Sequence, residues 1–330
     1  MKKKISELGE RGIIELFKKY TDQGDLPFND DAVAFGLNDK ESLVINIDTF
    51  VAKTDAPPNM TAKEIGAKST VMAISDLAAK GVQPQFVLAS GAFPADLNVQ
   101  ETLDIVVGIT EITHNAGAKY LGGDTNEADD LVLSIVAAGV GKKDKLIKRN
   151  GAQKDDILFT TGRFGLTGAG FKVFLEGLSA TEDQKKKFRR AVYEPFARLR
   201  EGLLLNKFGK ITSCIDSSDG LSWCLREILR DKENLGIEIE NIPIDNDVID
   251  FAENHKLVAE DLALYAGEEF ELVFAVNPMH LDEFLEFLKT ENIIALRIGV
   301  LSEKYPEKIV YLKEDKLVEV KPKGWEHFNE

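Results

Sequence analysis

Two cysteines, Cys214 and Cys224, are too few for a disulfide framework in a chain of 330 residues. Such sparing use fits a reducing compartment, and both read as small buried hydrophobes. The four histidines, at positions 114, 255, 280 and 327, lack ligand spacing, so a Cys/His metal site is not expected. No apolar run reaches the length of a membrane span. The first residues, Met1-Lys2-Lys3-Lys4-Ile5-Ser6, have no apolar stretch behind their lysines, so no signal peptide is expected and the cytoplasm is the expected home. Positive charge is in deficit: 41 Lys and Arg face 56 Asp and Glu, a net charge of −15. That argues against nucleic acid as the main partner, because a phosphate backbone needs a basic footprint.

Familiar nucleotide motifs are missing too. Gly66-Ala67-Lys68-Ser69 lacks the Gly-Lys pair of a P-loop, and no G-x-G-x-x-G opens a βαβ unit. The His-Arg-Asp and Asp-Phe-Gly kinase signatures and a nucleophile elbow are also absent. The segment Thr161-Gly162-Arg163-Phe164-Gly165-Leu166-Thr167-Gly168-Ala169-Gly170 stands between a strand and a helix. Its N–H groups are suited to cradling a phosphate, or it is a plain strand-to-helix turn.

What the chain does have is acid in unusual places. Asp30 and Asp31, Asp48, Asp76, Asp124, Asp216, Asp219 and Glu268 all stand in short apolar or glycine-rich settings with little Lys or Arg nearby. A carboxylate among apolar neighbours is costly to bury unless something compensates it. A shared compensator for so many is a group of hard cations, which take oxygen ligands. Local explanations compete at single positions. Asp76 is spaced to pair with Lys80 on a helix, Asp124 after two glycines suits an Asx turn, and Asp219 suits the first turn of a helix capped by Ser217 or Ser218.

The pattern predicts a first helix over Glu7–Tyr20, with Leu8, Ile13, Leu16 and Phe17 on one face. Strands are expected at 32–35 and 43–47, then a proline-stiffened loop over 54–59. Thr61 and Glu64 form a capping box that starts a helix ending near Gly81. Next come a strand over 85–93, a helix over 98–116 and strands over 118–122 and 131–140. Lys142-Lys143-Asp144-Lys145 is the expected hinge between domains 1–145 and 146–330. The second half is expected to hold strands near 157–161, 237–240, 270–276 and 308–312, and one ending at Ile215. Its helices fall over 162–176, up to 190, 194–208, 218–230 and 280–289. The alternation favours an α+β or mixed α/β fold.

Taken in order, the motifs resemble those of the thiamine-monophosphate kinases, within the superfamily of aminoimidazole ribonucleotide synthetase and selenophosphate synthetase. The matching segments are Asn29-Asp30-Asp31-Ala32-Val33, Ile47-Asp48-Thr49-Phe50-Val51, Ser75-Asp76-Leu77-Ala78-Ala79-Lys80-Gly81 and Leu121-Gly122-Gly123-Asp124-Thr125. They continue with Arg149-Asn150-Gly151, the glycine-rich stretch, Ile215-Asp216-Ser217-Ser218-Asp219-Gly220-Leu221 and Ala266-Gly267-Glu268-Glu269. The loop Lys53-Thr54-Asp55-Ala56-Pro57-Pro58 is similar to that of archaeal members.

The resemblance implies ATP-dependent phosphorylation of thiamine monophosphate to thiamine diphosphate. It implies an N-terminal ATP- and Mg²⁺-binding domain that pairs across a homodimer, and a C-terminal domain covering the site. It makes Asp31, Asp48, Asp76, Asp124, Asp216 and Asp219 ligands of several Mg²⁺ ions, with Asn46 and the Ile47 carbonyl beside them. It places Gly123, Asp124, Arg149 and Ser218 against ATP, and Asp55, Glu268 and Trp325 against the acceptor. The catalytic set it implies is Asp48, Asp76, Asp124 and Arg149, with Asp30 as a supporting neighbour. Asn29 stands where a glycine is usual, Glu269 where an Asp is usual, and Asp55 where bacterial members commonly have His. The alternatives are a superfamily synthetase with another phosphorylated acceptor, or a silent nucleotide-binding module. Selenophosphate synthetase and hydrogenase-maturation readings are disfavoured. The former expects a reactive Cys that residues 1–28 lack, and the latter a C-terminal Cys where this chain ends Trp-Glu-His-Phe-Asn-Glu.

Overall fold

The computed structural model describes residues 4–328. Its first half runs α1 (Gly9–Phe17), β1 (Val33–Gly36), β2 (Glu41–Val51), the single turn α2 (Ala52–Asp55), α3 (Ala62–Ala79), β3 (Phe86–Phe93), α4 (Val99–Asn115), β4 (Lys119–Glu127) and β5 (Val132–Lys142). These strands form one sheet in the order β1-β2-β5-β3-β4, with only β3 and β4 parallel. The second half runs β6 (Ile157–Thr160), α5 (Leu166–Phe174), α6 (Glu182–Tyr193), α7 (Leu199–Phe208), β7 (Ile211–Asp216), α8 (Leu221–Leu229) and β8 (Gly236–Ile239). It ends with α9 (Asn246–His255), α10 (Ala259–Tyr265), β9 (Leu272–Val276), α11 (Leu281–Glu291), β10 (Leu296–Ser302), β11 (Ile309–Lys313) and β12 (Lys316–Glu319). Its sheet is ordered β12-β11-β8-β10-β6-β9-β7. Helices with two mixed sheets make the fold α+β, as the pattern suggests.

Helix α3 is the element that positions the site. The Thr61–Glu64 capping box starts it, and Gly81 at φ +67 ends it. It is buried along most of its length because it is packed from both sides. One side meets α4 and the first sheet; the other meets α7 and β7 of the second half. At Gly66 a Cβ would lie 2.0 Å from the Ile105 carbonyl oxygen, so the α3–α4 approach requires glycine there. Ala78 and Ala79 of α3 belong to the same apolar cluster as Leu272, Phe274 and Phe284. The two sheets therefore share packing through α3 rather than meeting through a loose linker.

Some expectations need correction. Helix α1 is shorter than Glu7–Tyr20, and it leaves Leu16 and Phe17 exposed. Polar contacts hold it instead: Arg11 pairs with Asp219 at 2.9 Å and Glu227 at 2.7 Å, and stacks over Trp223 at 3.8 Å. The proline-stiffened loop opens with the helical turn α2. Strands β10 and β12 and helices α9 and α10 were not visible in the pattern.

Candidate active site

Strand β2 alternates its side chains, so Val44, Asn46, Asp48 and Phe50 face α3 while Ile47 and Thr49 face outward. Asp76 projects from α3 toward β2, where Asn46 Nδ2 donates to it. Asp216 ends β7 on the other side of α3 and accepts a 2.6 Å hydrogen bond from Ser75 Oγ. Asp31 reaches the same point from the loop before β1. Oxygens of Asp31, Asp76 and Asp216 all lie within 4.8 Å of one another. Three elements from both halves thus converge on one acidic pocket. Asp76 does not pair with Lys80: Lys80 bridges Asp30 and Asp31, the latter at 2.7 Å.

The electrostatics separate the members of this cluster. Asp31 is buried, which opposes ionisation, but Arg149 and Lys80 outweigh burial and hold its carboxyl below the ordinary range. Asp76 is driven well above that range by burial, then by the charges of Asp216 and Asp31. Burial and Asp31 push Asp216 up to about 7. Burial pushes Asp48 to about 6, with Asp219 and Asp55 adding repulsion. Asp219 also rises to about 6 through burial, opposed by Arg11. Several carboxylates that repel one another in a buried pocket form a site short of positive charge.

An oxygen-seeking cation fits this donor set. The ligands on offer are carboxylates and one amide, all hard oxygens. Asn46 Oδ1 is buried with no hydrogen-bond partner, and its Nδ2 is already committed to the Asp31 carbonyl oxygen at 3.1 Å. A buried acceptor without a hydrogen-bond partner beside three converging carboxylates completes an all-oxygen donor set for such an ion.

Arg149 stands at the edge of the pocket. Its Nε donates to Asp31 Oδ1 at 2.8 Å and its Nη1 to the Asn29 carbonyl oxygen at 2.6 Å. Asp219 lies ahead of the helix rather than in its first turn, since Gly220 is the N-cap residue of α8. Ser218 beside it is exposed.

Asp55, Glu268 and Trp325 meet in a separate cleft of about 470 Å³, lined also by Lys53, Ala56, Pro57, Phe171 and Leu175. Trp325 is 49% exposed there, so it is not a core aromatic. The glycine-rich segment does not present a free phosphate cradle. The N–H groups of Gly165 and Thr167 both donate to Glu269 Oε1, at 2.7 and 3.2 Å.

Asp124 is the exception to convergence. It lies within β4, not in an Asx turn, on the row Thr49–Ser134–Ser90–Asp124. That row crosses the outer face of the sheet, about 14 Å from β2 at ~4.8 Å per strand. Gly123 beside it is packed so closely on β3 that a Cβ would sit 1.7 Å from the Ala89 carbonyl oxygen.

Two domain models match the chain: AIR synthase related protein, N-terminal domain, over residues 29–142, and the corresponding C-terminal domain over residues 153–311. A thiamine-monophosphate kinase of Nitrosopumilus maritimus is 32% identical over 324 residues, covering 98% of this chain and all of that protein. The chain belongs to the thiamine-monophosphate kinase family. Another family member, from Pyrococcus abyssi, is 32% identical and covers 98% of this chain and 97% of its own length. The solved structure of AaThiL complexed with AMPPCP and TMP superposes with a TM-score of 0.84, covering 99% of each chain at 23% identity.

The structure also adds polar contacts around these thiamine-monophosphate kinase motifs that the sequence did not reveal. Ser75 orients Asp216, Lys80 and Arg149 flank Asp31, Arg11 holds Asp219, and Lys68 supports Glu268 at 2.7 Å. Lys68 lies on α3 and Lys80 is its C-cap residue, and a lysine amid apolar helix residues was the available signal.

Proposed function

We propose that the protein transfers the γ-phosphoryl group of ATP to thiamine monophosphate, giving thiamine diphosphate by direct in-line displacement. One observation carries the reading: α3 places Asp76 in the acidic pocket and Lys68 under the cleft formed by Asp55, Glu268 and Trp325. A polyphosphate site and an acceptor site thus share one rigid element. The names of the Nitrosopumilus and Pyrococcus relatives, and the AMPPCP and TMP of the AaThiL complex, support this pairing.

Asp31, Asp76 and Asp216, with Asn46, Asp48, Asp219 and the Ile47 carbonyl, would hold Mg²⁺. When bound, it supplies charge neutralisation for the polyphosphate and for the transferring group. The chain's own part is positioning. Ser75 fixes Asp216, Lys80 and Arg149 keep Asp31 ionised, and Arg149 and Ser218 offset and orient the nucleotide phosphates. A phosphate-monoester acceptor has a second pKa of about 6, so it is largely dianionic and requires no general base. Trp325 packs against a ring of the acceptor. Turnover of ATP with a panel of phosphorylated acceptors tests the assignment. Thiamine monophosphate alone should stimulate it; success with another acceptor and failure with this one would overturn it.

The sign of the pH dependence follows from the raised carboxylates. Free Asp titrates near ~3.9, whereas Asp216 is raised to about 7 and Asp48 and Asp219 to about 6. Their contribution to stability is present below the unfolded value and is lost as pH rises through the folded values. Mg²⁺ needs the ionised forms. The rise in Tm on adding Mg²⁺ should therefore be largest above this window and shrink as pH falls through it. A shift that stays constant across the window would contradict ligation by these groups.

The outer face of the first sheet exposes Val33, Phe35, Ile47 and Leu121 at 60%, 68%, 65% and 61%. A second copy of the chain covers this face in the proposed assembly. Pairing there gives Gly123 and Asp124 a route to a nucleotide that they lack within their own chain. Mixing inactive Asp124→Asn and Asp76→Asn proteins should restore part of the activity. No recovery, with subunit exchange demonstrated, would place Asp124 outside a shared site.

A further inference from the structure

Under the acceptor cleft lies a cation that the family motifs above do not include. The Lys68 side chain is fully buried on α3. Its ammonium lies 2.7 Å from Glu268 and donates to the Asp55 carbonyl oxygen at 3.1 Å, with the Phe50 ring centroid 6.0 Å away. It therefore touches both acidic residues of the cleft, one from each half of the chain. Glu268 is further constrained by a backbone φ of +64, uncommon for a residue with a side chain, and by its N–H donating to Ser218 O at 2.7 Å. Asp55 is held from its other end, since Oδ2 accepts from the Val51 N–H at 2.7 Å.

A buried carboxylate without a partner takes up a proton rather than remain charged. Lys68 compensates Glu268 from beneath, where no substrate atom competes for it. The Glu268 carboxylate, held by Lys68, stands beside Trp325, Phe171 and Leu175. A cleft that is aromatic, apolar and acidic suits a flat ring carrying positive charge.

We propose that Lys68 is a positioning residue for acceptor recognition: by fixing Glu268 and the Asp55 turn, it makes the cleft select a phosphorylated acceptor bearing a cationic heteroaromatic ring. This deepens the kinase reading and rests on it. Lys68 acts from below the surface, through Glu268, and contacts no substrate.

The test compares Lys68→Met, Lys68→Arg, Glu268→Gln and the Lys68→Met/Glu268→Gln double variant. Lys68→Met should raise KM for thiamine monophosphate by about tenfold or more, with KM for ATP within about twofold of the parent. Glu268→Gln should do the same, Lys68→Arg should recover part of the loss, and the double variant should be no worse than Glu268→Gln. If Lys68→Met does not fold, the double variant leaves neither charge alone and carries the comparison. A lower Tm and kcat with an unmoved acceptor KM would mean a merely structural role and would overturn the proposal. So would a double variant about tenfold worse than Glu268→Gln. Calorimetric binding of thiamine monophosphate separates this from the kinase reading. A parent protein that binds it without phosphorylating it sinks the kinase reading, while the variants still decide Lys68 by affinity. A parent that binds no cationic ring sinks both.

Discussion

Asp76→Asn should fold, unfold at a higher temperature than the parent when Mg²⁺ is absent, and still lose about a thousandfold in kcat. The two halves of that result have one cause. Asp76 is surrounded by Asp216, Asp31 and Asp48 in a buried pocket, and burial and their charges hold its carboxyl well above the ordinary range. An amide of the same shape removes that repulsion and keeps the contact with Asn46, so the metal-free fold gains. The same substitution removes an anionic ligand from the site that would hold Mg²⁺ against the polyphosphate. A thousandfold loss corresponds to about 4 kcal/mol of transition-state stabilisation, within the range for removing one charged group from a preorganised site. Thermal melts with and without Mg²⁺, together with kcat at saturating ATP, decide it. Near-normal turnover, or a metal-free Tm below that of the parent, would remove Asp76 from the cluster as described.

Lys80→Met should do the opposite and cost stability heavily. Lys80 is buried, and so are the side chains of Asp30 and Asp31 that it bridges. It also donates to the Cys214 carbonyl oxygen at 3.0 Å, tying the end of α3 to β7. Removing the ammonium leaves two buried carboxylates with Arg149 as their remaining cation. Breaking a buried pair from one side typically costs ~3–5 kcal/mol, because a charge is left uncompensated. Urea denaturation reads this directly. Asp31 would also lose its fixed place, so residual activity in the folded fraction should fall as well. A destabilisation below about 1 kcal/mol, the level of an exposed pair, would show that the bridge does not bear on the fold.

Much of the site could be read from sequence because its chemistry is written in single residues. Asp31, Asp76 and Asp216 stand out as acids in apolar runs, and the fold collects them. The capping box at Thr61 and Glu64 and the stop at Gly81 were legible for the same reason: local hydrogen bonding and φ determine them. What could not be read depends on neighbours distant in the chain. The Lys68–Glu268 contact is one case, and Arg11 reaching Asp219 is another. The strand row that carries Asp124 to the outer face follows from sheet order, which no local pattern encodes. Strand β12 is short and mostly exposed, so it lacks the apolar alternation that announces a strand. Helix α1 misled because its apolar residues suggest a buried face, whereas its seating is ionic.

Helix α3 acts as a ruler. At roughly 1.5 Å per residue, Lys68 and Asp76 are about 12 Å apart along its axis. The span between the point where an acceptor ring is gripped and the point where a phosphoryl group changes hands is thus set by helical pitch, not by a loop that can adjust. On the proposed site assignment, acceptors are gauged by length as well as by charge: a ring bearing its phosphate directly should fall short, and an overlong tether should carry its phosphate past the transfer point. Inserting one residue between the two marks would turn Asp76 by about 100° and lose the gauge, even with every side chain of both sites retained.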